Sequence, residues 1–83
     1  MPEDIQSEIK QEIKEFSRLI KKYPSVQDFY IGRAYSYMLI GENKKALSDC
    51  KTFFKFTSKD KTVLMVAELL MKEINKRLRK NIK

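Results

Sequence analysis

The chain has 83 residues, which makes one domain, residues 1–83, that buries about 60 to 65 % of the surface its unfolded chain exposes. Hydrophobic residues make up 42 % and charged residues 35 % of the sequence, with only two glycines and two prolines, so the composition excludes a disordered chain and favours helices. A net charge of +7 permits contact with nucleic acid, acidic lipid or acidic protein and does not choose among them.

Three features of the sequence bear on the compartment. Cys50 is the only cysteine, so the chain forms no internal disulfide and needs no oxidising compartment. The N-terminal stretch is acidic and has no apolar run, so we expect neither a secretory signal nor an Arg-rich transit peptide. The longest apolar-rich run, Val63 to Met71, is far shorter than a membrane span of about 20 residues. We therefore expect a cytoplasmic protein.

Apolar residues recur at steps of three and four along the first quarter of the chain, which is the pattern of one apolar stripe on an α-helix. This pattern predicts a first helix from about Glu3 to Lys22. Lys21 and Lys22 complement the negative end of its dipole. Pro24 ends the helix, because a residue that precedes proline is pushed out of the helical region. The stripe consists of Ile5, Ile9, Ile13, Phe16, Leu19 or Ile20, and Tyr23.

A second helix begins after Pro24, where Ser25 and Asp28 have the spacing of a capping box. It ends at Gly41, which suits the left-handed conformation of a helix C-terminus. Its predicted inward side comprises Phe29, Tyr30, Ala34, Tyr37 and Met38 or Leu39. A third helix follows from about Asn43. Its predicted apolar side comprises Ala46, Leu47, Cys50, Phe53 and Phe54.

The segment Thr57 to Asp60 holds residues typical of turns and helix caps, so we place a turn there. A fourth helix then runs from about Lys61 to near the C-terminus. No stretch alternates with period two for long enough to predict a strand. The sequence therefore predicts an all-α fold built from antiparallel helical hairpins.

The middle of the chain has the spacing of a known helical repeat, carried by Tyr30, Arg33, Ala34, Tyr37, Gly41, Ala46, Cys50 and Ser58. In this spacing the chain resembles the tetratricopeptide repeat family, whose unit of about 34 residues is a helix-turn-helix with a Trp-Leu-Gly-Tyr, Ala-Phe, Pro signature. One full repeat spans about Gln27 to Asp60, and half repeats flank it, so helix four follows helix two at the repeat period. The resemblance implies a right-handed stack of four helices. The chain departs from the family pattern at Arg33, Phe53, Ser58 and Glu68.

In that family, the first helix of each repeat lines a concave groove that holds a peptide or a helix of another protein. Carried over by spacing, the groove-facing residues here are Asp28, Ile31, Tyr35, Met38 and Leu39 of helix two, and Thr62, Met65, Leu69 and Lys72 of helix four. Family members that bind chaperones grip a C-terminal carboxylate with Lys, Asn and Arg at these positions, most of which are apolar here. The resemblance therefore implies a protein interaction module, adaptor or co-chaperone-like, for an apolar polypeptide segment. The alternative is that these side chains bury against helix one or each other.

Helix four is apolar on nearly all sides from Val63 to Met71, whereas a surface helix has one apolar stripe. One side, formed by Val63, Ala67, Leu70 and Ile74, can face the core. Three further apolar residues then stay exposed unless another surface buries them: Leu64, Met65 and Leu69. Uncovered apolar patches mark interfaces, so we expect helix four to pair with another protein or with its own copy in a homodimer.

The stretch 72–83 carries most of the excess charge, with Glu73 as its one acidic residue. Its cations are Lys72, Lys76, Arg77, Arg79, Lys80 and Lys83. One interpretation is a solvated helix end whose cations complement the helix dipole. The alternative function is a small basic helical protein that binds nucleic acid or an acidic membrane surface through this helix. The absence of aromatic residues after Phe56 argues against binding to single-stranded nucleic acid.

The sequence does not favour catalysis, and we expect no enzyme, no metal site and no cofactor. Histidine is absent, which removes the commonest general base and metal ligand. Cys50 lies on the inner side of helix three, so we interpret it as a buried structural thiol rather than a nucleophile. Neither glycine belongs to a phosphate-binding loop. Glu8, Glu12 and Glu15 are spaced for pairing with Lys and Arg along a helix face.

Overall fold

The computed structural model describes residues 3–80, which form four α-helices and no strand. The helices are α1 (Glu3–Lys22), α2 (Gln27–Leu39), α3 (Asn43–Phe54) and α4 (Lys61–Lys80). The prediction of an all-α fold is confirmed. None of these four helices combines the length and the apolar composition that crossing a bilayer requires. Residues 81–83, the end of the predicted basic stretch, lie outside the described range.

The start of α2 differs from the predicted capping box at Ser25 and Asp28. The N-cap is Val26, which is extended (φ −88°, ψ 108°), and no side-chain capping hydrogen bond is formed. Because the helix begins after Val26, Ser25 lies one residue too early for its hydroxyl oxygen to accept from the N–H groups of the first turn. The Tyr30 hydroxyl instead donates to the Pro24 carbonyl at 2.8 Å and ties the α1–α2 loop to α2.

The end of α2 confirms the prediction at Gly41, which has a φ of 82° in the left-handed region. The Gly41 N–H donates to the Met38 carbonyl at 3.0 Å, and the Glu42 N–H donates to the Tyr37 carbonyl at 2.9 Å. These are the two hydrogen bonds of a Schellman motif. The chain therefore reverses within a few residues, and α3 packs back against α2.

Asp60 caps the N-terminus of α4. Its Oδ1 accepts hydrogen bonds from the backbone N–H of Thr62 at 2.9 Å and of Val63 at 3.1 Å. The Gln27 side chain holds the same loop: its amide nitrogen donates to the Ser58 carbonyl, and its Oε1 accepts from the Asp60 N–H at 3.3 Å. The α3–α4 loop is thereby fixed to the first residue of α2, which sets the position of α4 beside α2.

The core lies around α2, which contacts all three other helices, while α3 also contacts α4 and no contact joins α1 to α4. Alanines at Ala34, Ala46 and Ala67 are fully buried and let the helices approach closely. The predicted core side of α4 is confirmed at Ala67, Leu70 and Ile74, which are buried, while Val63 is half-buried and packs against the core. The largest fully buried side chains are Phe53, Ile74 and Cys50.

An ion pair and a hydrogen bond join three helices at Arg33, one of the departures from the repeat pattern. Nε and Nη2 of Arg33 donate to the Asp49 carboxylate at 2.8 and 2.7 Å, and Nη1 donates to the Ser17 hydroxyl at 3.1 Å. The hydrogen bonds to Asp49 raise the pKa of Arg33 above its ordinary value. Arg33 therefore connects α1, α2 and α3 through one polar contact, which the sequence analysis did not predict.

Candidate functional site

A shallow groove made of two adjoining depressions runs between α2 and α4. The first depression is lined by Asp28, Ile31, Thr62, Val63 and Val66. The second is lined by Tyr35, Met38, Val66, Leu69, Leu70 and Glu73. Val66 belongs to both, so the depressions form one continuous surface, which we name the α2–α4 groove.

The two helices run in the same direction along the α2–α4 groove. Asp28 and Thr62 line the first depression, and Tyr35 and Leu69 line the second. Each pair is separated by 34 residues, from 28 to 62 and from 35 to 69. Residues that are separated by the 34-residue repeat period therefore line the same depression.

The α2–α4 groove has a buried floor and an exposed apolar rim. Ile31 and Met38 are each 5 % exposed and belong to the hydrophobic core. Tyr35, Val66 and Leu69 form the rim and are 52 %, 49 % and 68 % exposed. Burying apolar surface lowers the free energy by about 25 cal/mol per Å², so the rim favours contact with another apolar surface. Of the apolar groove residues predicted on α2, Tyr35 is the one that is exposed.

The remaining predicted interface residues lie beside the groove. Leu39 and Leu64 are half-buried and line neither depression, and Leu64 packs against the core. Met65 also lines neither depression, but it is 64 % exposed. It follows that Met65 and Leu69 are the two most exposed apolar side chains among residues 3–80.

Val66 and Glu73 are groove residues that the sequence analysis missed. Val66 lies one turn before both Leu69 and Leu70, the first on the rim and the second in the core. Because Val66 is three residues from an exposed rim residue and four residues from a buried core residue, it lies at the boundary between these two faces of α4. That spacing is the signal that could have assigned Val66 to the groove. Glu73 lies one turn after Leu69 and gives the groove an acidic end.

The basic end of α4 continues from the groove. Lys72, Lys76, Arg79 and Lys80 are exposed, and none of them forms an ion pair with another residue in the range 3–80. Arg77 differs, because its Nε donates to Glu73 at 2.9 Å. This hydrogen bond, together with the positive charges of Arg77, Lys76 and Lys80, lowers the pKa of Glu73 below its ordinary value. The predicted basic patch therefore presents four cations to solvent and one that is paired.

Cys50 lies in the core of the fold and is fully buried. Burial, and to a lesser extent the negative charge of Asp49, raises the pKa of its thiol to about 11. The thiolate is the nucleophilic form of cysteine, so a thiol with this pKa stays protonated and unreactive near neutral pH. The geometry therefore agrees with the interpretation of Cys50 as a structural thiol.

Comparisons of the chain with protein-family models, with characterised proteins and with solved structures found no match. The groove and the α4 surface join an apolar rim to a row of solvent-exposed cations on one helix. An arrangement of this kind suits the binding of a polypeptide that has apolar and acidic residues.

Proposed function

We propose that the protein is a non-enzymatic interaction module, similar to a tetratricopeptide repeat protein, that binds a polypeptide segment in the α2–α4 groove. The observation that carries the proposal is the apolar rim of Tyr35, Val66 and Leu69, three large side chains about half or more exposed above a buried apolar floor. A contiguous exposed apolar surface on a small protein is typical of an interface. A polypeptide side chain on this rim removes apolar area from water on both partners.

Three features support the repeat-like arrangement within this proposal. α2 and α4 run in the same direction, and residues 34 positions apart line the same depression, as with Tyr35 and Leu69. Ala34 and Ala46 are fully buried, as close packing between the helices of a repeat requires. Gly41 reverses the chain between those helices. In a repeat of this kind, the groove between successive first helices is the ligand surface.

The shape of the groove favours a polypeptide over a small molecule. Its two depressions, of about 190 and 300 Å³, are shallow and open to solvent. Sites for drug-sized ligands are clefts or cavities that cover most of the ligand surface, which a shallow groove does not do. Each depression here is open and suits one or two apolar side chains, such as those on one face of a docked helix.

Photo-crosslinking tests this proposal directly. A benzoylphenylalanine residue replaces Tyr35 on the rim in one variant and Lys51, an exposed residue of α3, in the control variant. After irradiation in a cell lysate, we expect discrete covalent polypeptide adducts from position 35 and not from position 51. Adding Val66→Asp should remove the adducts at position 35. Equal adducts from both positions, or adducts that persist with Val66→Asp, would contradict the proposed groove.

A second candidate function is contact with nucleic acid or an acidic membrane surface, and it is favoured by the four exposed cations of α4 that have no ion pair within residues 3–80. Replacing Arg77, Arg79 and Lys80 by Glu separates the two candidates. Adducts from position 35 should survive this replacement under the first candidate. Binding to duplex DNA or to vesicles rich in anionic lipid should disappear under the second, and it should also weaken steeply with added salt.

A further inference from the structure

Two exposed stripes, on helices that do not contact each other, have the same spacing and opposite charge. The stripe on α1, which we name the acidic stripe, comprises Asp4, Glu8, Glu12, Glu15 and Leu19. The stripe on α4, which we name the basic stripe, comprises Met65, Leu69, Lys72, Lys76 and Lys80. Every member is exposed apart from Leu19, which is half-buried. Each stripe therefore presents one continuous face to solvent.

The steps between neighbouring residues are identical in the two stripes when one is read backwards. From Asp4 forward the steps are four, four, three and four, and from Lys80 backward they are the same. Steps of three and four keep residues on one side of a helix. An antiparallel pairing then sets Asp4 opposite Lys80, Glu8 opposite Lys76, Glu12 opposite Lys72, Glu15 opposite Leu69 and Leu19 opposite Met65.

We infer that the basic stripe of one copy of this protein docks antiparallel on the acidic stripe of a second copy. Three carboxylates meet three lysines, which have no ion-pair partner inside residues 3–80. At the other end of the contact, Leu19 covers Met65, and the methylenes of Glu15 cover Leu69. The partner that covers the α4 surface is thus a second copy of the chain. This inference rests on the proposed function only in that both take α4 as an interaction surface.

The apolar residues select the antiparallel orientation. In a parallel pairing with Asp4 opposite Lys72, Glu8 faces Lys76 and Glu12 faces Lys80, so the charges would match equally well. Leu69 and Met65 would then extend past Glu3, the first residue of α1, and α1 would cover neither of them. The antiparallel pairing covers both of these apolar side chains, which are 64 % and 68 % exposed in the single chain.

Most charges on the rest of α1 lie away from this contact. Lys10 and Lys14 lie more than about 100° around the helix from the centre of the acidic stripe. Lys22 continues the stripe beyond Leu19, and the antiparallel pairing sets it opposite the uncharged Thr62. Arg18 forms an ion pair with Glu15, which faces Leu69 and not a lysine. The pairing cannot form inside one chain, because no contact joins α1 to α4. Exposed ion pairs contribute little each, so we expect a weak association that depends on protein concentration and on salt.

Charge reversal tests the inference. One variant carries Glu8→Lys and Glu12→Lys, and a second carries Lys72→Glu and Lys76→Glu. Sedimentation velocity in a buffer of about 0.05 M salt should show a wild-type mass that rises with concentration and becomes monomeric at about 1 M salt. Each variant alone should be monomeric, since it juxtaposes like charges. An equimolar mixture of the two variants should associate again, because each reversed stripe then meets a stripe of opposite charge.

A control matched to the second variant replaces two exposed lysines of α3, Lys44→Glu and Lys51→Glu. It makes the same change in net charge as Lys72→Glu with Lys76→Glu, and we expect it to keep the wild-type pattern. All the changed residues are exposed, so helicity measured by circular dichroism should be the same throughout. A wild type that stays monomeric, or a variant mixture that fails to associate, would overturn the inference. Photo-crosslinking from position 35 is also measured in the charge-reversal variants. If the polypeptide adducts persist when self-association is lost, the groove proposal is supported independently of this inference.

Discussion

Arg33 and Asp49 form an ion pair between α2 and α3, and Arg33 also donates to Ser17 of α1. Their side chains are 20 % and 6 % exposed, so both charges are largely removed from water and each needs the other. We predict that Asp49→Ala lowers the free energy of unfolding by about 2 to 4 kcal/mol, because it leaves the Arg33 guanidinium uncompensated. Urea denaturation followed by circular dichroism measures this difference.

The control for this prediction removes both charges. Arg33→Met with Asp49→Leu leaves no unpaired ion, so the double variant should recover a large part of the stability that Asp49→Ala loses. A loss below about 0.5 kcal/mol for Asp49→Ala, the range of an ordinary surface substitution, would show that the pair is not needed.

The sequence could not predict this pair, whereas it did predict two residues of the groove. Arg33 and Asp49 lie 16 residues apart on different helices, and no periodic pattern relates them. Tyr35 and Leu69 were assigned to the groove through their 34-residue spacing, and both line it. The same spacing could not distinguish the exposed rim residues of the groove from the buried floor residues. Ile31 is buried and Tyr35 is exposed because of packing between helices that are distant in sequence.

At the level of the helices, the predicted bounds were accurate where a local chemical signal marks them. Gly41 ends α2 because a left-handed residue is needed there, and Asp60 begins α4 because its carboxylate can accept from free N–H groups. The capping box at Ser25 failed because Ser and Asp at the right spacing are also common in turns. The helix starts one residue later, after Val26, where the Tyr30 hydroxyl fixes the loop.

The Asp60 cap yields a prediction about α4 itself. Replacing Asp60 by Ala removes two hydrogen bonds to the Thr62 and Val63 N–H groups and should lower the free energy of unfolding by about 0.5 to 2 kcal/mol. Asp60→Asn should keep most of the stability, since Asn also caps helices well. Urea denaturation of both variants checks this.

Thr57→Ala, in the same loop, serves as the control, because Thr57 is exposed and makes no side-chain hydrogen bond among those described for residues 3–80. It should change the free energy of unfolding by no more than about 0.5 kcal/mol. If Asp60→Ala and Thr57→Ala had equal effects, the cap would not be what stabilises the start of α4.

For the whole molecule, the position of α2 determines which surfaces are left open. α2 is enclosed by contacts with three helices, while α1 and α4 lie at its sides and do not meet each other. The two outer helices therefore each keep a face that no helix within residues 3–80 covers. On α1 that face is acidic, and on α4 it passes from apolar residues to lysines, so the two outer faces of the fold differ in chemistry.

The contrast between the open and the buried sides of α4 gives the last prediction. Leu69 is 68 % exposed and Ile74 is fully buried on the same helix. Leu69→Lys should change the free energy of unfolding by no more than about 0.5 kcal/mol, because little burial is lost at an exposed site. Ile74→Val removes one methylene group from a packed site and should lower it by about 0.5 to 1.5 kcal/mol.

Binding should follow the opposite order. Leu69→Lys removes apolar area from the groove rim, so it should reduce the fluorescence of a hydrophobic reporter dye and the crosslinking from position 35. Ile74→Val leaves the rim intact and should change neither, provided that measurements are made well below the denaturation midpoint. If Leu69→Lys lowered the free energy of unfolding as much as Ile74→Val does, Leu69 would be supporting the fold. If Leu69→Lys left the dye fluorescence and the crosslinking unchanged, the rim would not be the binding surface. Stability and binding on α4 are thus separable because they depend on opposite sides of one helix.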